Sequence, residues 1–174
     1  LAKLGNNFHP LILDVADSNA ILDSVEKVRS DLKPSECIAG LVNNAGIALG
    51  GPVTLIDEEI FRKQFEVNFF GLINVTKAYL PLLGANKGSH NQGKIINISS
   101  ISGKRSYPFI APYTASKFAV EAFSDSLRRE LMMYGVDVIL IEPGPIKTAI
   151  WDKTPDPENN EFLGSDYEKA LGRF

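Results

Sequence analysis

Four short apolar runs, separated by longer stretches in which apolar residues recur every three or four positions, organise this sequence. The runs are HPLILDV (9–15), CIAGLVNNAG (37–46), KIINISS (94–100) and VDVILIEPG (136–144). Each is too short for a core helix and nearly continuous in Val, Ile and Leu, the pattern of a strand covered on both faces. The intervening stretches predict helices from Ser18 to Leu32, from Glu58 to Leu83 and from Tyr113 to Tyr134. Ser18 and Asp57 suit the N-caps of the first two, and Gly135 suits the end of the third. GANKGSHNQG (84–93) is a polar loop, and residues 146–174 read as loop with a short helix near 166–171. Strands alternating with helices of a dozen residues or more predict βαβ units. The expected fold is therefore one domain over 1–174, an α/β Rossmann-type, doubly wound parallel sheet in three α/β/α layers.

At 174 residues the chain is long enough for one full-sized core. A net charge of -3 without any basic run excludes a nucleic-acid footprint. The single Cys37 excludes a disulfide framework and suits a reducing compartment, so a cytoplasmic location is expected. Its apolar setting predicts a buried, inert thiol. His9 and His90 are far apart and flanked by loop residues, so no metal site is expected. No signal peptide and no apolar run near the length of a membrane span occurs. Sequons at Asn74 and Asn97 fall in segments that read as buried, which argues against glycosylation.

In a doubly wound sheet the ligand binds beyond the carboxyl ends of the strands. Here those ends carry Asp14, NNAG (43–46), Ser99 with Ser100, and EPGPIKT (142–148). Tyr113 and Lys117 begin the helix after the serine strand and open onto the same edge. Pro112 should keep Ala111 extended, so that the helix starts at Tyr113. Residues four apart on a helix share a face, which lets the phenol and the ammonium meet. A phenol near pKa 10 is a poor base at neutral pH, and a neighbouring cation would favour its ionised form.

Six stretches in order, LDV (13–15), NNAG (43–46), VNFFG (67–71), INISS (96–100), YTASK (113–117) and PGPIKT (143–148), resemble the classical short-chain dehydrogenase/reductase family. The serine-to-tyrosine gap, from 100 to 113, agrees with it, and the resemblance spans about Leu11 to Thr148. It implies an NAD(P)-dependent oxidoreductase interconverting a secondary alcohol and a ketone or aldehyde. Tyr113 would be the general acid/base, and Ser100 would donate to the substrate oxygen. Lys117 would favour the phenolate and bind the nicotinamide ribose, and Asn68 would hold a water linking Lys117 to solvent. Cofactor contacts would fall to Asp14 and Val15 at the adenine, and to Asn43, Ala45 and Gly46 near the adenosine ribose. Pro143, Gly144 and Ile146 would lie along the nicotinamide, with Thr148 near the carboxamide or pyrophosphate. Asn44 and Ser99 read as structural.

The family's first β-α-β segment, with its glycine-rich phosphate turn, has no counterpart in this sequence, nor has its final strand. The expectation is an N-terminally incomplete domain in which the 11–15 strand lacks its neighbours. The residue that separates NAD from NADP lies in the segment without a counterpart, so the resemblance implies either. Tyr107, Pro108, Phe109, Ile110, Ile150, Trp151 and Phe162 would line a substrate region that includes residues 145–174. They suit a hydrophobic alcohol or ketone such as a steroid, retinoid or other lipid-like carbonyl. Helices 58–83 and 113–134 would pair with their counterparts in a homodimer or homotetramer. Two other readings use the same residues: a non-catalytic nucleotide-sensing or interaction module, and an isomerase, dehydratase or epimerase.

Overall fold

The computed structural model describes residues 8–33, 36–151 and 161–171. Asp17, rather than Ser18, caps the first helix, α1 (Ser18–Asp31), its carboxylate accepting from the amides of Asn19 and Ala20 at 2.9 and 3.2 Å. Then follow β1 (Gly40–Asn43), α2 (Glu58–Phe65), a π-helical turn (Glu66–Gly71) and α3 (Leu72–Tyr79). The chain continues through β2 (Lys94–Ile98), α4 (Ala111–Leu131), β3 (Asp137–Ile141) and the short α5 (Glu168–Leu171). Asp57 holds the N-cap position of α2 without a side-chain cap bond, and Glu58 and Glu59 place negative charge at the positive end of the helix.

The strands pair in parallel in the order β1-β2-β3, with Leu41 beside Ile95 and Ile95 beside Val138. Alternation along each strand sends Asn43, Ile95, Asn97 and Val138 into a buried layer. There they meet Ile21 and Val25 of α1, Val75 and Tyr79 of α3, and Leu127 and Leu131 of α4 in one core. Val42 and Ile141 remain 57% and 44% exposed. The fold is the Rossmann-type α/β arrangement, and the described residues build the sheet and one helical layer of the three expected.

Residues 9–15 do not form a strand. Their apolar pattern favours burial, but a strand needs a ladder, and no strand pairs with them among the described residues. Leu13 and Val15 pack on the core instead. Val15 rests so closely on Gly71 that a Cβ there would lie 2.7 Å from its side chain. The sheet strands are also shorter than their apolar runs, because pairing ends before hydrophobicity does.

α4 begins at Ala111, not Tyr113. Ile110 (φ −125°) takes the non-helical position, and Pro112 sits in the first turn, where its missing N–H has no intrahelical acceptor to lose. At the other end the chain turns out of the helix at Gly135 in the left-handed region (φ 70°). The predicted helix 58–83 is broken by the π turn and closes in a tight turn over Leu80–Leu83. Cys37 is exposed, because it lies in the irregular segment before β1 rather than within the strand. Asn97 is fully buried, which removes it as a glycosylation acceptor. Among the described residues no helix is long and apolar enough to cross a membrane, and no cluster of His, Cys, Asp or Glu could hold a metal ion.

Candidate active site

A cavity of about 770 Å³ opens beyond the carboxyl ends of the three strands. Its polar side is built by Ser99 and Ser100 at the end of β2 and by Tyr113 and Lys117 on the first turns of α4. Tyr113 is 4% exposed and Lys117 6%, so both functional groups are held in a largely dry setting. Ser100 is extended (φ −169°, ψ 160°) and its hydroxyl accepts from the amide of Ser102 at 3.1 Å. Having accepted there, the hydroxyl keeps its proton for donation, and it hydrogen-bonds Tyr113. Burial raises the phenol above its ordinary pKa, and the bond from Ser100 pulls it partly back.

Lys117 donates to the carbonyl oxygen of Ile98 at 2.8 Å, and its Nζ stands 5.7 Å from the centre of the Tyr113 ring. The expected lowering of the Tyr113 pKa by this cation is not what the structure has: burial prevails and the phenol is shifted upward. Burial also brings Lys117 down to about 8, opposed by the charge of Glu121.

Asn68 is 2% exposed and sits within the π turn. Its Oδ1 accepts from the Ile47 amide at 2.8 Å, while its Nδ2 donates to the Ile47 carbonyl at 3.0 Å and to Ser116 Oγ at 3.1 Å. The side chain therefore ties the loop after β1 to α4. Both Nδ2 protons are thereby used, so a water held by this side chain would have to donate to Oδ1.

Of the predicted cofactor residues, Gly46, Pro143, Gly144, Ile146 and Thr148 line the cavity with Tyr113 and Lys117. Val15, Asn43 and Ala45 line a smaller neighbouring cavity of about 270 Å³. Asp14 lines neither; its carboxylate turns back to the amide of Ala16 at 2.9 Å. The Asn43 side chain donates to Thr76 Oγ1 and to Asn97 Oδ1, at 2.9 and 2.8 Å, and is committed to the core. Asn44, read as structural, is instead exposed and borders both cavities. The signal lay in strand alternation: with Asn43 inward, its neighbour must face the other way. Ser99 is likewise more than a strand-end residue. It is 3% exposed and lines the cavity, and its hydroxyl has no hydrogen-bond partner among the described residues.

The apolar wall comes from Tyr107, Pro108, Phe109 and Ile110, with Ile150 and Leu171 opposite. Phe109 has φ 62°, an unfavourable backbone for an aromatic residue. It is held by the amide of Gly51, which donates to its carbonyl at 2.6 Å, and by the edge-on ring of Tyr167, 6.1 Å between ring centres. The Tyr167 hydroxyl meets Thr54 at 3.0 Å, so three separate segments close around this wall. Phe162 is buried against Gly51 rather than in the cavity. The Trp151 side chain lies outside the described residues.

A Rossmann-type parallel sheet with serine, tyrosine and lysine gathered at its strand ends defines a dinucleotide-fold protein of the Tyr-Lys kind. The sequence model of the short chain dehydrogenase family matches residues 1–159, and the chain belongs to that family. It is 46% identical over 172 residues to an NADPH-dependent 3-dehydrocapnine reductase of Ornithobacterium rhinotracheale, an alignment covering 99% of this chain and 60% of the relative. With a 3-ketodihydrosphingosine reductase of Bacteroides thetaiotaomicron it is 39% identical, covering 92% of this chain and 58% of the relative. A short chain dehydrogenase of Burkholderia cenocepacia J2315, solved in complex with NADP, superposes with a TM-score of 0.75 at 32% identity, covering 90% of this chain and 62% of that one. The chain thus spans about 60% of the length of the relatives it matches.

Proposed function

We propose that this protein is an NAD(P)-dependent oxidoreductase that interconverts a hydrophobic secondary alcohol and its ketone or aldehyde. The observation that carries this reading is the buried Ser100–Tyr113 hydrogen bond at the mouth of the strand-end cavity, with Lys117 beside it. The residues present fit a nicotinamide nucleotide. Ser99 borders the cavity, and its buried hydroxyl lacks a hydrogen-bond partner among the described residues. A Cβ at Gly144 would meet nothing within 4 Å, leaving backbone open to close approach. Gly46, lying near Asn68 and Lys117, lets the loop after β1 pass under the same site. When bound, the nicotinamide supplies or accepts the hydride at the carbonyl carbon.

The chain's own residues manage the oxygen. Tyr113, kept protonated by burial, gives its proton to the carbonyl oxygen as negative charge develops there, and takes it back in the oxidative direction. Ser100 donates to the same oxygen, a preorganised dipole whose value grows as the charge forms. Lys117 supplies positive charge behind the phenolate left by Tyr113 and holds the ribose. Gly46, Pro143, Gly144, Ile146 and Thr148 would border the nicotinamide half, while Asn44 with Val15 and Ala45 would border the adenosine half.

The apolar wall of Tyr107, Pro108, Phe109, Ile110 and Ile150 favours a lipid-like carbonyl over a polar one. A relative named for 3-ketodihydrosphingosine supports the same substrate class. Phe70 and Phe118, 47% and 43% exposed on the helices predicted to pair, favour a homo-oligomer.

The test is Tyr113→Phe. NAD(P)H-dependent reduction of a lipid-like ketone should fall by about 10²–10⁴-fold while nucleotide affinity is kept. Nucleotide binding with no reductase activity in the wild type would favour a sensing module instead.

A further inference from the structure

Tyr113, Lys117 and Glu121 stand at four-residue steps along α4 and so share one face of it. All three are buried, Glu121 at 6% exposed. The proposed reaction uses the first two and leaves the third without a task. A carboxylate taken out of water is costly unless it is well paired. Glu121 is paired incompletely: its Oε2 lies 2.8 Å from Lys104 Nζ, and Oε1 accepts no hydrogen bond among the described residues. Lys104 is over half exposed and is shared with Glu142 at 3.5 Å, so its compensation is screened by solvent and divided between two anions. The fold nevertheless makes room for this carboxylate. A Cβ at Gly103 would lie 2.8 Å from Glu121 Cγ and 2.8 Å from Ser99 Oγ, so the turn after β2 has no side chain where Glu121 enters.

Pinning that turn to α4 would not require a carboxylate, since an apolar side chain of equal volume would pack there with less desolvation. What an apolar side chain lacks is a negative field one helical turn from Lys117. We propose that Glu121 is a positioning residue for the reaction: its buried carboxylate holds Lys117 in the ammonium form against desolvation, and Lys104 with Glu142 regulates how much of that field reaches it. The proposal rests on the reading of Lys117 as the cation behind Tyr113. Burial pulls the ammonium down to about 8, and Glu121 is the charge that opposes it. The titratable groups beside Lys117 are Tyr113, its ring centre 5.7 Å from Nζ, and Glu121, both from its own helix; Lys104, from the turn after β2, pairs with Glu121 and with Glu142 after β3. The π turn contributes the neutral Asn68, and the charges of α2, Glu58, Glu59, Arg62 and Lys63, are exposed.

The experiment is a pH titration of the Lys117 side chain by ¹³C/¹⁵N NMR in lysine-labelled protein, its signal assigned by loss in Lys117→Arg. Glu121→Gln keeps the shape and removes the charge, and it should move the midpoint below the wild-type value near 8. Glu121→Asp should return it part of the way. An unmoved midpoint in folded Glu121→Gln overturns the proposal, because a merely structural role would alter stability alone. Should that variant lose its cooperative unfolding, Lys104→Met, a change at an exposed site, decides. Removing that cation should raise the midpoint, and no change or a fall overturns the proposal. The basic limb of kcat/KM for carbonyl reduction should move in the same order. A wild type that binds nucleotide without reducing a carbonyl would overturn the functional reading while leaving the titration interpretable, so the two failures are distinguishable.

Discussion

Lys117 donates its ammonium to the carbonyl oxygen of Ile98 at 2.8 Å, fastening the start of α4 to the end of the central strand. The contact fixes a charge in a site that is almost closed to water, and the energetic tension of that placement is open to measurement.

Lys117 has a folded-state pKa near 8 against an ordinary 10.5, so the unfolded chain binds the extra proton between those values. Stability must therefore rise with pH across that window, the burial penalty being fully present below 8 and relieved above it. The gain from pH 8 to 10 should be about 2 kcal/mol. Tyr113, shifted upward, acts in the opposite sense above pH 10, which sets the upper limit of a clean reading. Urea denaturation at stepped pH would measure the gain, and Lys117→Met should flatten it.

Asn68 satisfies both the amide and the carbonyl of Ile47. Asn68→Ala would strand the part-buried Ile47 amide, at about 1–3 kcal/mol before relaxation, while the carbonyl keeps its bond from Gln64 Nε2 at 2.7 Å. The expected result is a loss of about 1–3 kcal/mol and faster hydrogen exchange at the Ile47 amide. Unchanged exchange there would mean that the π turn is held by packing alone.

Ser100 donates to Tyr113 and opposes the upward shift of the phenol. Ser100→Ala should move the Tyr113 titration further upward, read by ultraviolet absorbance of the phenolate. In the proposed reaction it should lower kcat by about 10²–10³-fold with little change in KM. A raised KM with kcat unchanged would point to ground-state binding instead.

Phe118 is exposed on α4 beside the buried Lys117 and Ser116. If α4 pairs with its copy, Phe118→Glu should convert the protein to monomers in sedimentation while its far-ultraviolet circular dichroism is kept. A wild type that is already monomeric would remove the pairing proposal.

The gathering of Gly46, Ser100, Tyr113, Lys117 and Gly144 at one cavity is legible in the sequence, because strand-end placement follows from the order of strands and helices. Asn43 and Asn44 were not separable in the same way. Which of two adjacent asparagines turns inward depends on Thr76 and Asn97, 33 and 54 positions away. Asp14 is held by a local contact instead: its carboxylate accepts from the amide two residues on, at 2.9 Å.

By itself the sequence determined what short-range periodicity can encode: the alternation of strands and helices, the parallel sheet, and a serine, tyrosine and lysine at one edge of it. Tertiary structure decided what depends on partners far along the chain. With no strand beside it among the described residues, the apolar run at 9–15 forms none. Asn68 finds its partners 21 and 48 residues away, and the helix that carries it passes through a π turn there. Glu121, unremarkable in a helical pattern, becomes a buried charge only when Gly103 leaves space for it. Periodicity is a property of neighbours, whereas hydrogen-bond satisfaction and desolvation belong to the assembled chain.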